Sequence, residues 1–165
     1  MKYVLILLLT LSSFAPLSAQ KYGHLNFAIL ISEMPGTTAA EAELSAYNDE
    51  LTAKGEKMVA DLQARVREVE AQIDDLPPIK VSELRAEFNR DREAILAFEQ
   101  QMAVDLQKKR QELLGPILEE ARAAVKAVAE EEGYQLIFDT SRFNTVLYGK
   151  DSDDIKPLVK AKLGI

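Results

Sequence analysis

Two adjacent prolines, Pro77 and Pro78, are the only hard break between two long polar segments of helical period. Neither ring nitrogen carries a proton, and Pro78 pushes the residue before it towards extended geometry, so a helix arriving from the N-terminal side must end near Asp75. The chain between about residues 37 and 114 is therefore restricted to two helical arms with a turn at 74–81.

The first arm opens on Thr38-Ala39-Ala40-Glu41, which has the form of a capping box. Along it Leu44, Tyr47, Leu51, Met58, Leu62, Val66, Val69 and Ile73 recur in steps of three, four or seven, a narrow apolar stripe interrupted at Lys54-Gly55. Glu50 with Lys54 and Asp61 with Arg65 have the spacing of favourable i,i+4 pairs on the outer face. A straight helix from Thr38 to Asp75 is about 57 Å long. The second arm starts at Val81 or Ser82, and Leu84, Phe88, Ile95, Phe98, Met102, Leu106 and Leu113 form its stripe, with Asp91 and Glu99 on or beside it. Such a sparse seam makes a poor isolated coiled coil, and the short connection favours antiparallel pairing of the two arms. Phe88, Phe98 and Met102 then exceed what a two-helix contact requires.

Gly115-Pro116 predicts a kink or restart in the second helix. Beyond it Ile117, Leu118, Ala121, Ala124, Val125 and Val128 form a denser face of smaller residues, suited to a core. The helix ends at Gly133 behind Glu130-Glu131-Glu132, a negative run at the end where the helix dipole disfavours it.

The two ends of the chain differ from the arms. Lys2, the apolar run Val4 to Leu9 and Pro16-Leu17-Ser18-Ala19 read as a secretory signal peptide over residues 1–19, cleaved near Ala19; the run is far shorter than the roughly 20 residues of a membrane span. With no cysteine in the chain, an exported product rests on packing or assembly rather than disulfides. Lys21 to Phe27 alternates like a short strand, Ala28 to Ile31 extends it or opens a short helix, and Gln135–Asp139 and Thr145–Tyr148 are further strand candidates. Asp151, Asp153 and Asp154 lead into a short helix that tolerates Pro157 in its first turn; without the glycine and distal glutamate of an EF-hand they read as a cap, not a calcium site. His24 is the only histidine and has no nucleophile-and-acid pattern near it, no phosphate-cradling glycine loop is present, and the net charge of −7 argues against nucleic acid as a partner. No cofactor and no enzymatic activity are expected.

These pieces describe a mainly α chain with a small β body. The first strand pairs with the last two, the body comprises residues 20–36 and 115–165, and a long, coiled-coil-like antiparallel hairpin over residues 37–114 projects from it. A body of roughly seventy residues without disulfides has little core of its own, so oligomerisation is expected to stabilise it.

The chain resembles the Skp (OmpH-like) periplasmic chaperones over nearly its whole length. The resemblance is carried by KYGHLNF with AILISEMP, by LLGPILEEARAAVKAVAEEEGYQLIFD, and by NTVLYGKDSDDIKPLVKAKL; its most specific pieces are Met34-Pro35, Pro116-Ile117, the Val128-Ala129 to Gly133-Tyr134 helix exit, Phe138-Asp139, Leu147-Tyr148 and Asp154-Ile155. It implies a homotrimer with three hairpin tentacles that holds unfolded outer-membrane proteins in the cavity between them, and it favours a short helix over Ala28 to Met34. The chain departs from the basic character of the family's best-known members: residues 37–76 carry four basic against ten acidic side chains, and residues 79–131 nine against eleven. Lipopolysaccharide binding is therefore not expected, the cluster Lys108-Lys109-Arg110 notwithstanding.

The reading that follows is an ATP-independent periplasmic holdase, with a structural spacer or adaptor of the cell envelope, bound to one fixed partner, as the alternative. Tyr47, Leu51, Met58, Phe88, Phe98 and Met102 are the candidate client-facing residues, with packing inside the hairpin seam as the competing role for each. Leu25, Phe27, Leu136, Phe138, Val146 and Tyr148 are the candidate oligomer interface. The turn, with Asp74 and Asp75, is acidic rather than adhesive. Replacing Pro77-Pro78 by a flexible polar turn is expected to leave the trimer intact, as read by mass in solution.

Overall fold

The computed structural model describes residues 20–143 and 145–165, so the Met1–Ala19 signal peptide reading lies outside the described residues. The elements are β1 (Lys21–Leu25), α1 (Phe27–Glu33), α2 (Thr37–Glu70), α3 (Pro78–Glu132), β2 (Tyr134–Asp139) and α4 (Lys156–Leu163), with short 3-10 turns at Ile73–Asp75 and Asp151–Asp153. They divide into two units, residues 31–122 and residues 20–30 with 123–164.

In the first unit α2 and the larger part of α3 form the antiparallel hairpin. The capping box at Thr38 does not form. Gly36, in the left-handed region at φ 87°, is the N-cap and gives no side-chain cap; Thr37, 3 % exposed, is buried and donates its hydroxyl to the Ile31 carbonyl at 2.7 Å. At the far end α2 stops at Glu70, five residues before Asp75, and the chain turns through the 3-10 turn into Leu76, whose ψ of 139° is the extended geometry that a following proline demands. Pro78 then opens α3, earlier than Val81, because a first helical residue has no intrahelical use for an N–H. Helix α3 runs as one element through Gly115-Pro116, where the expected restart is absent. Only the bond to the Glu112 carbonyl is lost there, and the turns on either side keep theirs.

In the second unit β1 and β2 pair in parallel, with Tyr22 opposite Leu136, His24 opposite Phe138 and Leu25 opposite Asp139. The expected third strand, Thr145–Tyr148, is not one. The other edge of β1 is taken instead by residues 154–155: Ile155 donates its N–H to the His24 carbonyl at 2.9 Å, and His24 and Asp154 form an isolated bridge. The His24 ring is hydrogen-bonded through Nε2 to the Lys150 carbonyl at 3.0 Å. Leu25, Leu30, Ala124, Val128, Ile155 and Val159 form the core. Gly23 lets β1 lie against it, since a Cβ there would sit 2.8 Å from Ile155 Cγ2.

The acidic end of α3 has a physical explanation in this unit. Lys162 pairs with Glu131 at 2.5 Å, and Lys21 reaches the Glu132 carboxylate at 3.2 Å and its carbonyl at 3.0 Å, so two cations meet the negative run at the helix exit. Gly133, at φ 73°, then turns the chain into β2.

Asp139 ties the end of β2 to the start of α1. Its carboxylate accepts hydrogen bonds from the Phe27 N–H at 3.2 Å and from the Ser141 N–H and hydroxyl, each at 2.8 Å. Burial pushes its pKa up, but these donors and the nearby Arg142 charge outweigh it and hold the carboxyl below its ordinary value. A folded-state pKa below the unfolded one contributes stability above the unfolded pKa, and that stability is lost as pH falls through the folded value. Asp139→Ala is expected to cost about 1–3 kcal/mol at pH 7, measured by urea unfolding at fixed chain concentration, with the gap from the parent chain closing below about pH 4.

Candidate functional site

A stripe of apolar residues on each of two helices can bury its centre but not its flanks. Leu51 and Phe88, 9 % and 8 % exposed, are the most enclosed large side chains of the hairpin seam, and Tyr47, Met58, Phe98 and Met102 beside them are half-buried. Gly55 faces an aromatic ring of the other arm: a Cβ there would lie 3.4 Å from Phe98 Cε1, an ordinary van der Waals contact. The Lys54 ammonium stands 5.1 Å from the centre of the same ring.

The two flanks of the seam differ. One is closed by ion pairs between the helices, Glu43 to Lys109 at 2.6 Å and Arg65 to both Asp91 at 2.5 Å and Glu87 at 3.2 Å, with the Arg65 guanidinium 5.6 Å from the Phe88 ring centre. The hydrogen bond from Lys109 to Glu43 raises the lysine pKa against the opposing effect of burial. Arg65 thus reaches across the seam rather than back to Asp61, which pairs with Lys57 at 2.9 Å. The expected Glu50–Lys54 and Asp61–Arg65 pairs are not formed. Two carboxylates on the facing helix offer the guanidinium a fork that one neighbour on its own helix does not.

The other flank is open and carries three clefts in one helical phase. Near the turn lies one lined by Val66, Ile73, Val81 and Phe88. In the middle Leu51, Val59, Phe98 and Met102 line an open cleft of about 440 Å³. At the far end Leu44, Ala103 and Leu106 line the third. Three of the six client-facing candidates, Leu51, Phe98 and Met102, therefore meet in one cleft; Phe88 lines another, and Tyr47 and Met58 line none of the three. Sequence periodicity did not single out Val59, Leu96, Val104 and Ile79, which are 36 %, 58 %, 59 % and 72 % exposed. Leu96, Val104 and Ile79 lie off the stripe, and an off-stripe apolar residue in a polar helix was the available signal. Ile79 also makes the turn less purely acidic than Asp74 and Asp75 alone imply.

In the body unit the six interface candidates separate by exposure. Leu25 is core, Phe27 and Val146 are half-buried, and Leu136, Phe138 and Tyr148 are exposed, together with Phe143 and Leu147. Among the described residues no strand pairs with the outer edge of β2. Phe138, Val146 and Tyr148 come together with Tyr22 and His24 around a cleft of about 310 Å³. Among the described residues no group of His, Cys, Asp or Glu has the arrangement of a metal site, and no helix is long and apolar enough to cross a membrane. Asp154 acts locally, its Oδ1 accepting the Lys156 N–H at 2.8 Å.

The family profile described as Outer membrane protein (OmpH-like) matches residues 21–163 of the 165. The chain belongs to the OmpH-like family. An OmpH-like protein of Caulobacter crescentus CB15, described as a candidate outer membrane chaperone, has the same fold with a TM-score of 0.72 at 14 % identity, over 88 % of this chain and 85 % of that one. No curated protein matches. Leu51→Ala and Phe88→Ala are each expected to cost about 2–5 kcal/mol, whereas Leu96→Ala and Val104→Ala stay within about 0.5 kcal/mol, as read by urea unfolding followed by circular dichroism.

Proposed function

We propose that this OmpH-like chain is an ATP-independent holdase chaperone of the periplasm, exported by its leader, that holds unfolded outer-membrane proteins between the hairpins of a homotrimer and prevents their aggregation. The observation that carries the reading is the asymmetry of the hairpin: one flank closed by ion pairs, the other left open with half-buried Leu51, Phe98 and Met102 along it. A flank that is apolar, shallow and repeated along its length suits an extended client held by many weak contacts, whose combined strength comes from effective concentration rather than from any one of them. Family membership and the description of the Caulobacter crescentus relative as a candidate outer membrane chaperone support the same role. Met102 adds a flexible, polarizable contact of the kind used where one surface accepts many partners.

The exposed Leu136, Phe138, Leu147 and Tyr148 and the bare edge of β2 support the body as the trimerising element. Leu25 belongs to the core of each protomer and is not part of this proposed interface. The test is mass in solution together with aggregation of an unfolded outer-membrane barrel protein diluted from urea without nucleotide. A trimer that suppresses aggregation is expected; a monomer without suppression overturns the reading, and a chain that ignores unfolded barrels yet binds one folded partner is an adaptor instead. Leu136→Asp with Tyr148→Asp is expected to abolish the trimer. Phe98→Ala with Met102→Ala is expected to keep the trimer and weaken suppression several-fold.

A further inference from the structure

The acidity of the chain is not spread evenly. Residues 31–122 hold twelve Lys and Arg against twenty Asp and Glu, a balance of −8, whereas residues 20–30 with 123–164 hold seven against seven. All the excess negative charge thus belongs to the hairpin unit. Much of the hairpin's positive charge is already engaged: Lys57, Arg65, Lys80, Lys109 and Arg122 are in ion pairs, and Lys54 stands over Phe98.

The middle cleft concentrates this imbalance. Its apolar floor is formed by Leu51, Val59, Phe98 and Met102, and its only charged lining residues are Glu56 from α2 and Glu99 from α3. Both carboxylates are exposed, and neither is in an ion pair among the described residues. The clefts on either side differ, since Arg110 lines one and Arg85 and Arg92 the other. An apolar trough with a carboxylate on each wall and no cation among its lining residues, the nearby Lys54 standing over the Phe98 ring, complements a segment that places a Lys or Arg next to an apolar side chain: the hydrocarbon stem lies along the trough and the charge reaches the wall.

We propose that the middle cleft selects cationic amphipathic segments, in which Lys or Arg alternates with large apolar residues, and disfavours acidic ones. The proposal rests on the holdase reading for its biological client, and it gives that client a sign. Recognition is electrostatic at the wall and apolar at the floor, so it weakens with salt without vanishing.

The test uses the full-length chain without its leader and two fluorescein-labelled twelve-residue peptides, one alternating Leu with Lys and one alternating Leu with Glu, with binding read by anisotropy. The Lys peptide is expected to bind at least tenfold more tightly than the Glu peptide, and Glu56→Gln with Glu99→Gln is expected to weaken its binding about three- to tenfold. Glu68→Gln with Glu93→Gln, which removes the same charge from exposed positions outside the cleft, is expected to have a much smaller effect. Equal binding of the two peptides overturns the proposal. So does an equal loss in both double variants, which would reduce the preference to general attraction by the hairpin, or protection of the cleft by a second copy of the chain that excludes the peptide. Aggregation suppression of an unfolded barrel protein, measured on the same samples, separates the two claims. Suppression without peptide preference leaves the holdase reading standing and removes this one, and preference without suppression does the reverse.

Discussion

Two helices in contact cannot enclose a side chain from all directions, and the hairpin is built within that limit. Leu51 and Phe88 are only 9 % and 8 % exposed, while other residues of the same stripes, Met58 and Phe98 among them, stay half-buried. One flank is closed by the reach of Arg65 and Lys109 to carboxylates on the facing helix. The other is left to solvent or to a guest. Surface ion pairs of this kind contribute little each, so the closed flank is better understood as setting the register and roll of the helices than as holding them together.

Much of this was legible in the sequence. Pro77-Pro78 dictated the turn, and the stripe residues from Leu44 to Val69 and from Leu84 to Leu113 are buried or half-buried, while Ile73, the last of the first stripe, falls in the 3-10 turn and is exposed. Gly133 marked the helix exit, and the motifs from KYGHLNF to DSDDIKPLVKAKL pointed to the family that the profile match bears out. The errors share a cause: each local pattern had a longer-range competitor. Thr38 had a capping box, but burial of Thr37 against Ile31 placed the helix start elsewhere. Thr145–Tyr148 had strand composition, but residues 154–155 already occupied the edge it would have joined. Asp61 was well spaced for Arg65, but two carboxylates waited across the seam.

The candidate site was less legible than the fold. Residue type finds Phe98 and Met102, yet which flank they open onto depends on the roll of each helix, which shows only in contacts such as Glu43 with Lys109, 66 positions apart in the chain. Gly55 illustrates the point. In the sequence it interrupts a stripe; in the fold it lies next to an aromatic ring of the other arm.

The outer edge of β2, which no strand covers among the described residues, has a consequence for a protomer on its own. With Leu136 and Phe138 exposed beside unpaired backbone groups, a lone protomer offers the same invitation to strand pairing that makes nascent β-barrels aggregate. On the holdase reading proposed above, a protomer that has not met its partners is chemically a member of its own proposed clientele, and chain concentration sets how long it remains one.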